Sequence, residues 1–252
     1  MNIEKIKQIV LGCGDYLFDT VLKNDVTKKG DSDYVTKADV AVQSYLFEAL
    51  KKEFPHIGFL SEEGIKNTEY SQYWILDPID GTTNFMHELN MSAVSLGLCS
   101  EGEIVMGIIY NPFTNELFRA EKGKGAYLND KKIECSKYSR LSDCLGLYEF
   151  NAYKKNECEE ALLYAKKIYL SCQDLRTFGS AALELANVAC GRADVFFGRY
   201  LKPWDYAAAV VIISEAGGRI ADLCGNLDMT VFEQHIVASN GVVHNEFAEL
   251  LK

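Results

Sequence analysis

The stretch Trp74-Ile-Leu-Asp-Pro-Ile-Asp-Gly-Thr-Thr-Asn-Phe85 decides how the rest of the chain is read. Trp74, Ile75 and Leu76 form a short apolar run closed by Pro and Gly, the pattern of a buried strand. Pro78 has no N–H to give to a ladder, so the strand is expected to stop at Asp77. Gly81 permits a tight turn and a close backbone approach to a ligand. Asp77 and Asp80 are thereby placed at a strand end, ahead of a Gly-Thr-Thr turn whose N–H groups can point at an anion. Two carboxylates held this close need a proton or a cation to coexist, and burying them without one is costly. The pattern predicts a divalent-metal site for phosphate chemistry.

Upstream, Ile3, Ile6, Val10, Cys13, Leu17 and Val21 recur at three-to-four spacing and predict one amphipathic helix over 3–22. Lys28-Lys29-Gly30-Asp31-Ser32-Asp33 reads as a polar loop. Thr36-Lys-Ala-Asp39 fits a capping box that opens a helix to about Phe54, where Pro55 ends it. Ile57–Leu60 is a short strand ahead of Ser61-Glu62-Glu63-Gly64. Downstream, apolar segments at 92–99, 104–110 and 115–120 read as successive antiparallel strands, with another hairpin beginning at Gly125. From about 136, strands (Leu145–Phe150, Val195–Phe197, Ile236–Ala238) alternate with helices (156–167, Ala181–Ala189, Asp205–Ala216, Val242–Leu251). The chain is expected to divide into an α+β half, 1–135, with most metal-ligand candidates, and an α/β half, 136–252, with Asp205 and the specificity residues.

Composition narrows the partners. The chain has 252 residues, 48% hydrophobic and 25% charged, with a formal charge of −10. That charge argues against sequence-independent binding to nucleic acid or to an anionic membrane. It also makes an anionic substrate awkward unless metal ions mediate the contact. Eight cysteines are scattered without a Cys-x-x-Cys pair, as expected of reduced residues in a cytoplasmic protein. No signal-peptide block or membrane-spanning run is evident.

Acids recur at element ends: Asp39, Glu62 with Glu63, Asp77 with Asp80, and Asp205. Hard cations such as Mg²⁺ take oxygen ligands, and two of them can clamp the oxygens of a phosphoryl transfer. Taken alone, Asp39 is a capping-box residue, Glu62 and Glu63 are a solvated turn, and Asp205 is an N-cap as readily as a ligand. His56, His87, His235 and His244 show no metal or triad spacing. Ser180 lacks the flanks of a nucleophile elbow and reads as a helix N-cap.

The opening motif, together with Trp204-Asp205-Tyr-Ala-Ala-Ala and Glu215-Ala-Gly-Gly218, resembles the inositol monophosphatase family. Glu62-Glu63-Gly64 and Gly179-Ser180-Ala181-Ala182 fall in the matching order, so the resemblance spans nearly the whole chain. It implies an α+β fold layered α-β-α-β-α, a Mg²⁺-dependent and Li⁺-sensitive phosphatase, and often a homodimer. It implies two or three Mg²⁺ ions. Glu62, Asp77 and the Ile79 carbonyl would hold the first, and Asp77, Asp80 and Asp205 the second. Glu62 with waters would hold a third, weaker one. Thr82, paired with Asp39, would orient the attacking water, making these two the catalytic pair. Gly81 and Thr82 N–H groups would take phosphate oxygens. Gly179, Ser180 and Ala181 would lie along the substrate's alcohol part, with Asp80 and Asp205 also facing the substrate.

One departure bears on the substrate. Inositol-selective members often carry a Glu seven residues before the Trp-Asp aspartate, where this chain has Gly198 followed by Arg199. Arg199 is therefore a candidate for a second anionic group. The expected reaction is hydrolysis of a small phosphomonoester such as inositol monophosphate by metal-activated water. Fructose-1,6-bisphosphatase, histidinol-phosphatase and 3′-phosphoadenosine-5′-phosphate phosphatase activities are the alternatives. A non-catalytic metal or phospho-ligand binder is the alternative of another class, and it would be marked by loss of an acid or of Thr82.

Overall fold

Five layers stack in the order helix, sheet, helix, sheet, helix. The structure, a computed structural model, describes residues 2–30, 33–229 and 232–252. The large sheet has eight strands, in the order Lys131–Ile133, Ala126–Leu128, Glu116–Glu121, Glu103–Asn111, Ala93–Ser100, Gln72–Asp80, Gly58–Ser61 and Lys66–Asn67. Its strands pair antiparallel except for Gly58–Ser61, which runs parallel to Gln72–Asp80. The small sheet orders Asp174–Arg176, Leu145–Glu149, Val195–Leu201, Gln234–Ser239 and Arg219–Asp222. Its first two junctions are parallel and its last two antiparallel.

Side-chain alternation along each strand assigns the layers. Trp74 and Leu76 point to the N-terminal helices, Ile3–Leu11 and Lys37–Glu53, and pack with Ile6, Val10, Val42, Leu46 and Leu50. Ile75 points the other way, to the middle helices Ala181–Ala189 and Pro203–Glu215. In the small sheet Phe196 faces that same middle layer. Val195 and Phe197 pack instead with Ile168 and Phe247 on the outer helices, Cys158–Ser171 and His244–Leu250. Each fully buried large aliphatic or aromatic side chain contributes roughly 1.5–3 kcal/mol.

The middle helix Pro203–Glu215 lies unusually close to the large sheet. Gly97 and Gly107 are directly opposite each other on adjacent strands. A Cβ on Gly107 would fall 2.1 Å from the Ala208 carbonyl oxygen, and one on Gly97 would fall 3.1 Å from the Ala207 Cβ. Two glycines facing an Ala-rich stripe thus let the helix settle onto the sheet.

Several expectations need correction. The strand does not stop at Asp77 but continues through Pro78 to Asp80. Pairing slips between Asp77, opposite Ser95, and Asp80, opposite Ala93, so Pro78 sits in a bulge where its missing N–H is not required. The 3–22 segment is three helices, Ile3–Leu11, Gly14–Leu17 and Thr20–Asn24. The break follows Gly12, which packs so tightly under Tyr45 that a Cβ would meet its hydroxyl at 2.1 Å. Val21 is accordingly exposed (77%). The polar 28–33 segment is not simply a loop, since Val26–Gly30 and Asp33–Thr36 pair as an antiparallel ribbon; Asp31 and Ser32 lie outside the described residues. Strands Asp174–Arg176 and Arg219–Asp222 were not expected.

Candidate active site

The bulge decides the site. Along a regular strand Asp80 would face the opposite side from Asp77, because side chains alternate. The slipped register reverses that alternation. Ile79 therefore packs with the N-terminal helices, while Asp80 returns to the side of the middle layer with Asp77. Parallel pairing of Ser61 with Leu76 carries the chain directly to Glu62, beside Asp77. The close-packed helix Pro203–Glu215 supplies Asp205 from its first turn, with a carboxylate oxygen accepting from the Lys202 N–H at 2.7 Å. One carboxylate oxygen from each of Asp77, Asp80 and Asp205 lies within 4.8 Å of the others.

These carboxyls repel one another in poor solvent. Burial first, then the charges of Glu62, Asp80 and Asp205, hold Asp77 well above the usual carboxylate range. Burial and Asp80 push Asp205 up to about 8. Burial, Asp205 and Glu63 push Glu62 up to about 8 as well. Asp80 rises only to about 6, because Ser180 Oγ and the Ala181 and Ala182 N–H groups offset its burial. Buried, mutually repelling oxygen donors are what a hard divalent cation neutralises, so the residues present fit Mg²⁺.

An open cleft of about 140 Å³ lies over the cluster. Glu62, Asp77, Ile79, Asp80, Gly81, Thr82, Gly179, Ala181 and Asp205 all line it. Gly81 has a φ of +82°, and a Cβ there would fall 2.9 Å from the Gly179 carbonyl oxygen and 3.0 Å from that of Met91. Glycine is thus demanded twice, by conformation and by space. The remaining expected residues stand apart from the lining. Ser180 is buried behind Asp80, donating its hydroxyl to the carboxylate while capping Leu183 N–H. Asp39 closes the Thr36 capping box, taking Thr36 N–H at 2.7 Å on Oδ2, while its Oδ1 is buried without a hydrogen-bond partner. Burial pushes Asp39 up to about 6. The Thr82 hydroxyl donates to the Ile79 carbonyl at 3.1 Å, so the expected pairing with Asp39 is not the bond seen.

Arg199 is not brought to the cleft. It is 3% exposed, its guanidinium meets Glu157 at 2.9 Å and also Glu160, and it lies over the Tyr164 and Tyr200 rings. Three residues escaped the sequence reading. Asn84, within the opening motif, donates to the carbonyls of Met91 (2.9 Å), Phe178 (2.6 Å) and Gly179 (3.2 Å), clamping the Gly81 turn to the Gly179 turn. Its place after Gly-Thr-Thr was a usable signal. Glu184 accepts the Phe178 N–H, and Glu149 lines the cleft; neither carries a local motif.

A profile of the inositol monophosphatase family matches residues 5–252. The chain belongs to the inositol monophosphatase family. It is 40% identical over 239 residues to an inositol-1-monophosphatase of Caulobacter vibrioides, covering 93% of each chain. It is 34% identical over 224 residues to a fructose-1,6-bisphosphatase/inositol-1-monophosphatase of Thermotoga maritima, covering 89% of this chain and 84% of the relative. Among solved structures, the extragenic suppressor protein suhB of Bartonella henselae superposes with a TM-score of 0.92 at 36% identity, covering 99% and 98% of the two chains. The chain is therefore a phosphatase, a phosphoric monoester hydrolase with the α+β layered fold of its family.

Proposed function

We propose that the cleft hydrolyses a small phosphomonoester with Mg²⁺ as cofactor, water attacking phosphorus directly and no phosphoenzyme forming. The observation that carries this reading is the convergence of Asp77, Asp80 and Asp205 within 4.8 Å, at carboxyls whose burial favours neutralisation. Glu62, Asp77 and the Ile79 carbonyl would hold one ion, and Asp77, Asp80 and Asp205 a second; Glu62 with waters would hold a third more weakly. Bound Mg²⁺ supplies positive charge that acidifies a water and screens the phosphate oxygens. Gly81 and Thr82 present N–H groups to the phosphate, and Gly179 and Ala181 pack along the alcohol part. Asp39 and Thr82 orient the water. The partnerless Asp39 Oδ1 is the acceptor this role assigns to the Thr82 hydroxyl, which must turn from the Ile79 carbonyl. Ser180 acts behind the surface, fixing Asp80.

Inositol monophosphate is the first substrate to try, from the Caulobacter relative's name, and fructose 1,6-bisphosphate the second, from the Thermotoga relative's. Arg199, already engaged by two glutamates, is left out of the substrate contacts. A cytoplasmic setting belongs to this reading because all eight cysteines are unpaired. So does a homodimer, for which Leu162, Leu163, Tyr169 and Leu170 offer an exposed apolar face on one helix. The test is phosphate release from a panel of inositol, sugar and nucleotide phosphates. Release with Mg²⁺ that a chelator abolishes is expected; no release from any member would overturn the reading.

A further inference from the structure

Across the cleft from the metal ligands stands a carboxyl that the hydrolytic machinery does not use. Glu149 ends the small-sheet strand Leu145–Glu149 and lines the cleft. Its Oε2 is buried without a hydrogen-bond partner. Behind it lies Glu184, fully buried on the middle helix. One Glu184 oxygen accepts the Phe178 N–H, and the other, also buried, has no partner. The two carboxyls are neighbours: burial and then the Glu184 charge hold Glu149 well above the usual carboxylate range, while burial and Asp80 push Glu184 up to about 8. Each carboxyl thus keeps a buried acceptor oxygen that no protein donor fills. Buried polar oxygens without partners in a binding cleft mark where a ligand's polar group belongs.

The strand register explains why the carboxyl sits at this position. Glu149 pairs directly with Gly198 on the adjacent parallel strand. A Cβ at position 198 would meet Leu201 Cδ1 at 2.7 Å and Phe196 Cζ at 2.8 Å, so a side chain there would require both neighbours to move. At that height of the wall the polar group is therefore carried by the neighbouring strand.

We propose that Glu149 is a specificity residue whose carboxyl, backed by Glu184, binds a hydroxyl of the substrate's alcohol part and selects a polyhydroxylated monophosphate, a sugar or cyclitol phosphate. The proposal rests on the cleft being the phosphatase site. No lysine or arginine lines the cleft among the described residues, which suits a neutral polyol better than a second phosphate.

The experiment compares inositol monophosphate with p-nitrophenyl phosphate, whose alcohol part bears no hydroxyl, using full-length protein with Mg²⁺. Glu149→Ala is expected to lose about 10- to 100-fold in kcat/KM on inositol monophosphate, chiefly through KM. Its loss on p-nitrophenyl phosphate is expected to be at least tenfold smaller. Glu149→Gln keeps the shape and one acceptor oxygen, so it carries the same comparison with a smaller gap should the alanine variant not fold. Equal losses on both esters would make Glu149 a scaffold or metal residue, and unchanged kinetics would remove it from the site; either overturns the proposal. An inactive wild-type protein would instead defeat the phosphatase site itself, and this inference with it.

Discussion

The two walls of the cleft are built in different ways. The acidic wall takes Asp77, Ile79, Asp80, Gly81 and Thr82 from one continuous stretch, adds Glu62 through strand pairing, and draws Asp205 in by close helix packing. The opposite wall takes Glu149, Asn151 and Tyr153 from one segment and Gly179 and Ala181 from another, with Gly198 packed beneath. The first wall carries acids whose burial and mutual repulsion outweigh the attraction of Lys29 and Lys202, and so is costly in stability. The second carries ordinary packing, with Glu149 as its lining acid. Chemistry is concentrated where the backbone is most constrained, and substrate choice where two parallel strands meet.

The largest effect should come from the acidic wall. Asp80→Asn is expected to lower turnover on the order of 10³-fold or more, the scale of removing a preorganised electrostatic group, with an unchanged circular dichroism spectrum. An active variant would erase the contrast between the walls. Gly107→Ala touches that wall from behind: its methyl meets the Ala208 carbonyl, so the helix bearing Asp205 must lift. We expect a loss of about 1–3 kcal/mol in chemical denaturation, with activity falling further than stability alone explains. An unaffected enzyme would show that helix placement does not set the Asp205 position.

The third prediction concerns protons. In the fold the carboxyls sit above their ordinary values, at about 8 for Glu62 and Asp205 and about 6 for Asp80. Between those values and the unfolded value of roughly 4, the metal-free fold binds more protons than the unfolded chain, so its stability must fall as pH rises. Urea denaturation in chelator is expected to give a lower midpoint at about pH 8 than at about pH 5.5, and saturating Mg²⁺ should reverse the order. A rising midpoint without metal would place the compensating charge inside the protein. The smallest effect belongs to the other wall. Arg199→Ala removes a buried guanidinium from partners that are themselves partly exposed, so about 1 kcal/mol of stability is expected to go. Its kcat/KM on a monophosphate and a bisphosphate should change equally; selective loss of the bisphosphate would return Arg199 to the substrate.

The acidic wall was legible in the sequence because its residues are close together in the chain and chemically unusual. Even there, the strand was expected to end at Asp77, since a proline rule does not reveal that a bulge can hold Pro78 and turn Asp80 back. The opposite wall was not legible. Glu149 looks like the polar end of a strand until pairing with Val195–Leu201 sets it beside Gly198. Arg199 was adjacent in sequence to the informative Gly198, but along a strand the next side chain points to the other face, where Glu157 and Glu160 lie. The short strands Asp174–Arg176 and Arg219–Asp222 offer too few residues for any period to show.

The central claim is that the buried acids exist for a cation and not for the fold. It is tested most directly by titrating Mg²⁺ into wild-type protein and Asp77→Asn by calorimetry, with the thermal midpoint of each measured in chelator. The account predicts that Asp77→Asn loses Mg²⁺ binding while its metal-free midpoint stays equal to or rises above wild type, since a repelling charge has been removed. Wild-type Mg²⁺ affinity in the variant, or a marked fall in its metal-free midpoint, would contradict it.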